Sequence, residues 1–185
     1  MDYAAEYENG FPYQEFLSKY ATDEQTRRWN DFRDSVHISD DQQALLKSFV
    51  REMKVLVLAG TWCGDCVNQC PIFEKFALCS DKLQVRYFDR DAATALAAEL
   101  KTCGGARVPV VVFLSEDGQF CGRYGDRTLS KYRSMASHIQ GASCPTGLAV
   151  DEDLTASVVQ DWLDEFERIQ WMLRTSSRLR QLHSD

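Results

Sequence analysis

Lys54-Val55-Leu56-Val57-Leu58-Ala59, followed by Trp62-Cys63-Gly64-Asp65-Cys66, is the stretch on which the reading of this chain turns. An uninterrupted apolar run of this length is what a central strand covered on both faces requires. Two thiols three positions apart follow it, and the pattern from Cys63 to Leu78 then reads as a helix. A Cys-x-x-Cys at a strand-to-helix junction opens and closes a disulfide within one helical turn. Thiol–disulfide exchange is therefore the leading chemistry, provided the rest of the chain builds the scaffold for it.

Working outward, Leu83 to Phe88 reads as a second strand. Asp91 is placed to cap a helix over 92–101, which Gly104-Gly105 stops. Arg107-Val108-Pro109 opens a third strand, Val110 to Leu114. The turn signal Glu116-Asp117-Gly118 then returns the chain through Gln119 to Tyr124 as a hairpin, before a helix from Leu129 to Ile139. The order is a parallel strand pair followed by an antiparallel hairpin. Upstream, the first fifty residues look helical. Pro12 suits a first turn ahead of Phe16, Leu17 and Tyr20. Thr22 with Gln25 and Ser39 with Gln42 are capping-box patterns. Trp29, Phe32 and Val36 follow the first box. Leu45, Leu46, Phe49, Val50 and Met53 follow the second, on a helix expected to pack on the sheet. A loop from Gly141 to Gly147 leads to a long C-terminal helix, with Asp151, Glu152 and Asp153 near its start and Arg174, Arg178 and Arg180 near its end. Val159, Trp162, Phe166, Ile169 and Leu173 share one face of that helix, and Trp171 lies opposite.

Composition narrows the function class. At 185 residues the chain can bury a core without metal or disulfide staples. The segments 1–53, 54–140 and 141–185 read as a helical extension, an α/β core, and a loop plus helix that completes one compact domain. A net charge of −7 argues against a nucleic-acid surface, and no apolar run is long enough to span a membrane. The start Met1-Asp2-Tyr3-Ala4-Ala5-Glu6-Tyr7-Glu8 has no basic or apolar leader pattern, so a cytoplasmic location is expected. Seven cysteines are an odd number at irregular spacing. Cys79, Cys103, Cys121 and Cys144 read as small, mostly buried hydrophobes, and only Cys63, Cys66 and Cys70 cluster. Half a zinc site is the rival reading of the motif. A structural zinc needs four ligands, a second Cys-x-x-Cys is missing, and His37, His138 and His183 have no ligand spacing. Cys70 serves equally as a third ligand or as part of a core face. Neither a metal nor a cofactor is expected beyond a redox-active Cys63–Cys66 disulfide.

At a helix N-terminus Cys63 would gain thiolate character and act as nucleophile, with Cys66 as the less exposed resolving thiol. Gly64 is expected to let the two sulfurs approach. Asp65 places a like charge beside the thiolate, which should raise the Cys63 pKa and keep the site from becoming strongly oxidising.

With the motif at a strand–helix junction and Val108-Pro109 ahead of a hairpin, the stretch from Met53 to Gln140 resembles the thioredoxin family. Trp62-Cys63-Gly64-Asp65-Cys66 is similar to that family's Trp-Cys-Gly-Pro-Cys, with Asp65 in place of proline. Pro71 matches the proline that kinks the active-site helix, and Val108-Pro109 the cis-proline pair. The resemblance implies a thioredoxin-like α/β fold: a central mixed sheet flanked by helices, here with an N-terminal helical prefix and a long C-terminal helix. It implies that Pro109 shapes the groove beside the disulfide, that the Val108 backbone pairs with substrate, and that Trp62 flanks the groove. The family's buried Asp is replaced by Val57 and its partner lysine by Tyr87, which leaves Asp65 or water to deprotonate Cys66. The expected activity is reduction of disulfides in protein or small-molecule substrates, with a thioredoxin reductase or glutathione system as electron donor. The alternative is a binding or adaptor module that uses its helical extensions, with little redox turnover. A dimer or partner contact through the C-terminal helix fits either.

Overall fold

Each predicted strand forms, and the four assemble in the order β2-β1-β3-β4 in a computed structural model that describes residues 1–137 and 153–185. β1 (Met53–Ala59) is central and apart from Lys54 wholly buried, as its unbroken apolar run demands. It pairs in parallel with β2 (Leu83–Asp89) and antiparallel with β3 (Val110–Ser115). The hairpin partner β4 (Phe120–Gly125) joins β3 with a register shift at Phe113/Leu114. Phe11 bridges Tyr87 on the outer side of β2, so the N-terminal chain covers that edge.

Four helices precede the sheet: α1 (Tyr3–Tyr7), α2 (Tyr13–Tyr20), α3 (Asp23–Ser35) and α4 (Asp40–Lys47). Pro12 is the N-cap of α2, one position before its first turn. Both expected capping boxes form, Thr22 with Gln25 and Ser39 with Gln42. α4 stops at Lys47, so Met53 belongs to β1 and Val50 lies exposed. The principal neighbour of α4 is α6 (Cys70–Cys79), a helix, where the sheet itself was expected.

The helix read from Cys63 to Leu78 is two pieces. A four-residue α5 (Gly64–Val67) ends at Asn68, and α6 restarts with Gln69 as N-cap and Pro71 in its first turn. Proline has no N–H to donate, which costs nothing at the start of a helix and breaks one in its interior. The helix α7 (Thr94–Glu99) is shorter than expected. The Asp89 carboxylate, not that of Asp91, takes the N–H groups of Asp91 and Ala92 at 3.0 Å each. The chain leaves α7 before the turn at Cys103 and Gly104, both at positive φ. Cys103 is exposed there, against expectation, while Cys79 and Cys121 are half-buried and pack against the edge of the core.

α8 (Leu129–Ser137) follows β4. Ile139, the loop 141–147 with Cys144, His138, Asp151 and Glu152 lie outside the described residues. The long C-terminal helix α9 (Leu154–Thr175) buries Val159, Trp162, Phe166, Ile169 and Leu173 along one face, as the 3.6-residue period predicts, and leaves Trp171 59% exposed. Ser176 ends α9 and caps a separate α10 (Ser177–His183), so Arg178 and Arg180 lie beyond the long helix. Two aromatic clusters hold the layers together. Phe73 and Phe76 of α6 meet Trp162 and Phe166 of α9, with Phe113 of β3 edge-on to Phe166. Tyr13, Phe16 and Trp29 of the N-terminal helices close around Tyr87 of β2.

Candidate functional site

The loop between β1 and α5 is held from the N-terminal helices. The indole N–H of Trp29 donates to the Thr61 carbonyl at 2.9 Å. The Thr61 hydroxyl donates to the Gln25 side-chain oxygen at 3.0 Å, the same oxygen that completes the α3 capping box. Trp62 then folds back over Gly60, where a Cβ would come within 2.8 Å of its indole. Arg90 stacks on the same ring at 4.3 Å, leaving the indole 44% exposed.

Cys63 is the N-cap of α5 and half-exposed; Cys66 is fully buried behind it, with Gly60 N–H donating to its sulfur at 3.4 Å. Both are free thiols. The Cys63 Sγ lies 3.6 Å from the Val108 carbonyl, and the Val108–Pro109 peptide is cis. The motif and Val108-Pro109, 45 residues apart in sequence, therefore meet as expected. The β4 end is pressed on the other side of that proline: a Cβ at Gly125, whose φ is +127°, would lie 2.4 Å from the Pro109 carbonyl oxygen. Gly64 differs from expectation. Nothing lies within 4 Å of a Cβ built there, so its smallness is not needed to bring the sulfurs together. What it leaves is open space above the motif.

The electrostatics also differ from the sequence-based picture. Cys63 is held above the ordinary thiol range, first by its hydrogen bond with Cys66 and then by burial. The N–H groups of Cys66 and Asp65 at the start of α5 oppose that rise without overcoming it. Burial likewise pushes Cys66 up, against the N–H of Gly60 and the Cys63 thiol. The two thiols titrate as a unit.

Asp65 does not confront Cys63 as an unbalanced charge. Its Oδ2 accepts from Arg127 Nε at 2.8 Å and pairs with the other guanidinium arm at 2.5 Å, both side chains being about four-fifths buried. Arg127 also reaches Asp126 at 3.2 Å, a carboxylate met in addition by the Tyr132 hydroxyl and, at 3.5 Å, by Arg107. Gln69 closes the network. Its amide donates to the carbonyls of Asp65 and Asp126, and its oxygen accepts from the Trp162 indole at 3.0 Å. Engaged in this way, Asp65 is already occupied as an acceptor, which weakens its candidacy as the base for Cys66.

Val57 and Tyr87, the positions read as replacing a buried Asp–Lys pair, are direct cross-strand partners and both fully buried. The Tyr87 hydroxyl donates to the Cys70 carbonyl at 3.1 Å. The buried Cys70 thiol, from the α6 side, adds to the upward push on Cys66. Among the described residues no group of three or more His, Cys, Asp or Glu side chains is placed to hold a metal ion. No described helix is long and apolar enough to cross a membrane.

The sequence matches the thioredoxin family model over residues 10–138.

The chain belongs to the thioredoxin family.

The match begins within the N-terminal helices, well ahead of Met53, where the resemblance read from motifs began. Among solved structures, a Pseudomonas aeruginosa protein of unknown function is similar at 16% identity and a TM-score of 0.60, covering 94% of this chain and 95% of its own. An HIV epitope scaffold is similar at 15% identity and a TM-score of 0.62, with the same coverages. A Fasciola hepatica thioredoxin is 23% identical over 54% of this chain and 92% of its own, with a TM-score of 0.37. No curated protein matches the sequence significantly. The first two likenesses speak to the fold, and they extend it over the helical prefix and α9.

Proposed function

We propose that the protein is a thiol–disulfide oxidoreductase that reduces disulfides in protein or small-molecule substrates. One observation carries this reading: a half-exposed Cys63 lies at the Val108 carbonyl, beside Pro109, with the fully buried Cys66 behind it. In this reading the half-exposed thiol attacks the substrate and the buried thiol, out of its reach, resolves.

The Cys63 thiolate attacks one substrate sulfur, forming a mixed disulfide and expelling the other sulfur as a thiolate. Cys66, deprotonated, then attacks Cys63 Sγ. The Cys63–Cys66 disulfide forms, and the substrate leaves as a dithiol two electrons richer. An upstream reductant such as a thioredoxin reductase or the glutathione system returns the pair to thiols, in the cytoplasm or another reducing compartment. The open space over Gly64, next to Cys63, is where the substrate disulfide would sit. The proton acceptor for Cys66 is water or the polar network around the site, since Asp65 is engaged with Arg127.

Insulin reduction driven by dithiothreitol tests the reading. The wild type should accelerate it, and Cys63→Ser and Cys66→Ser should each return the rate to that of dithiothreitol alone. A wild type no faster than the reagent would contradict the reading and favour a binding module.

A further inference from the structure

Asp65 and Arg127 stand 62 residues apart, yet their side chains form the closest ion pair at the redox motif, at 2.5 and 2.8 Å and largely out of solvent. A carboxylate in that position without a partner would repel a thiolate at Cys63 and bear the cost of a partly buried, unpaired charge. The guanidinium removes both penalties at once. It also fixes where the motif sits, because Arg127 and Asp126 belong to the turn between β4 and α8. Gln69 ties that turn and the Asp65 backbone to Trp162 of α9.

We propose that Arg127 is a positioning residue of the redox site, balancing the charge of Asp65 so that the Cys63 thiolate forms beside a neutral pair and not beside a carboxylate. The proposal rests on Cys63 being the attacking thiol. The charged and titratable groups around the pair are Asp126 from the β4–α8 turn, Arg107 from the segment before β3, and Tyr132 and Lys131 from α8, while Cys63 itself faces Cys66 of α5. Lys131 lines the same cavity as Asp65 but no ion pair joins them, which makes it the internal control.

The test is a charge cycle read as the pH profile of iodoacetamide alkylation at Cys63, followed on its own peptide by mass spectrometry. Arg127→Met leaves the carboxylate unbalanced and should move the profile up by roughly half a unit to one unit, slowing alkylation about three- to tenfold at a fixed pH below the midpoint. Asp65→Asn leaves an unbalanced guanidinium and should move it down. The double variant should return close to wild type, and Lys131→Met should not move it. Thermal unfolding of each variant is recorded alongside. If Arg127→Met does not fold, the pair Asp65→Asn and Asp65→Asn/Arg127→Met carries the test, because removing the guanidinium from the neutral background must reverse the downward move. A profile unchanged in the single variants, or a double variant that does not return, overturns the proposal. Alkylation needs no turnover, so a protein inactive on insulin but showing this cycle would refute the reductase reading and leave the charge balance standing.

Discussion

At Cys63 the hydrogen bond to Cys66 and the burial of the pair outweigh the N–H groups of α5. The reactive form of a thiol is its thiolate, so a raised pKa moves reactivity to higher pH. Alkylation of Cys63 should therefore still be climbing above about pH 8.5, the ordinary cysteine value. Cys66→Ala removes the leading cause of the rise and should shift the profile to lower pH. A wild-type plateau below that value, or no shift in the variant, would contradict the coupling. The coupling to a buried partner explains why the motif alone misled on this point. The N–H groups at the start of α5 do act on Cys63, but the buried Cys66 one turn later outweighs them, and its burial is set by packing against the rest of the fold. The fate of Asp65 was equally invisible, since nothing local in Trp62-Cys63-Gly64-Asp65-Cys66 points to Arg127.

The β4–α8 turn is the element that joins the motif, the cis-proline and the C-terminal helix. Burial pushes the Asp126 carboxyl up, but the Tyr132 hydroxyl, its own backbone and the charges of Arg127 and Arg107 together hold it below the usual carboxylate range. A carboxyl that binds its proton less readily when folded makes unfolding take up a proton in acid. Its contribution to stability is complete above the unfolded value of about 3.9 and is lost as the pH falls through the lowered folded value. Tyr132→Phe removes the hydrogen bond and should cost roughly 1 kcal/mol at pH 7 in urea unfolding. The cost should shrink as the pH falls through that window. A cost that does not change with pH would separate Tyr132 from the titration of Asp126. The elements themselves were legible from short-range pattern: strands from apolar runs, α3 and α4 from their capping boxes, the buried face of α9 from its period. Helix ends were not: Asp89 draws the N–H groups of Asp91 and Ala92 into a turn, and α7 starts only after it, from the N-cap Ala93, with no side-chain cap.

On the scale of the whole molecule, the helical prefix is part of the site's support and not an appendage. Trp29 and Gln25 hold Thr61 beside the motif, and the family match starts at residue 10. No pattern along the chain could announce a bond from the Trp29 indole to a carbonyl 32 residues later. The core order could be read from its apolar runs and from how βαβ units connect, whereas the cis-proline and the meeting of Cys63 with Val108, 45 residues apart, were implied only by the resemblance to the thioredoxin family. The central claim is that Cys63 attacks substrate and Cys66 resolves. Its most direct test is to incubate Cys66→Ser with a peptide disulfide and locate the adduct by mass spectrometry. The account predicts a stable mixed disulfide on Cys63 that does not accumulate in the wild type and is absent from Cys63→Ser/Cys66→Ser. An adduct on another cysteine, or none, would contradict it.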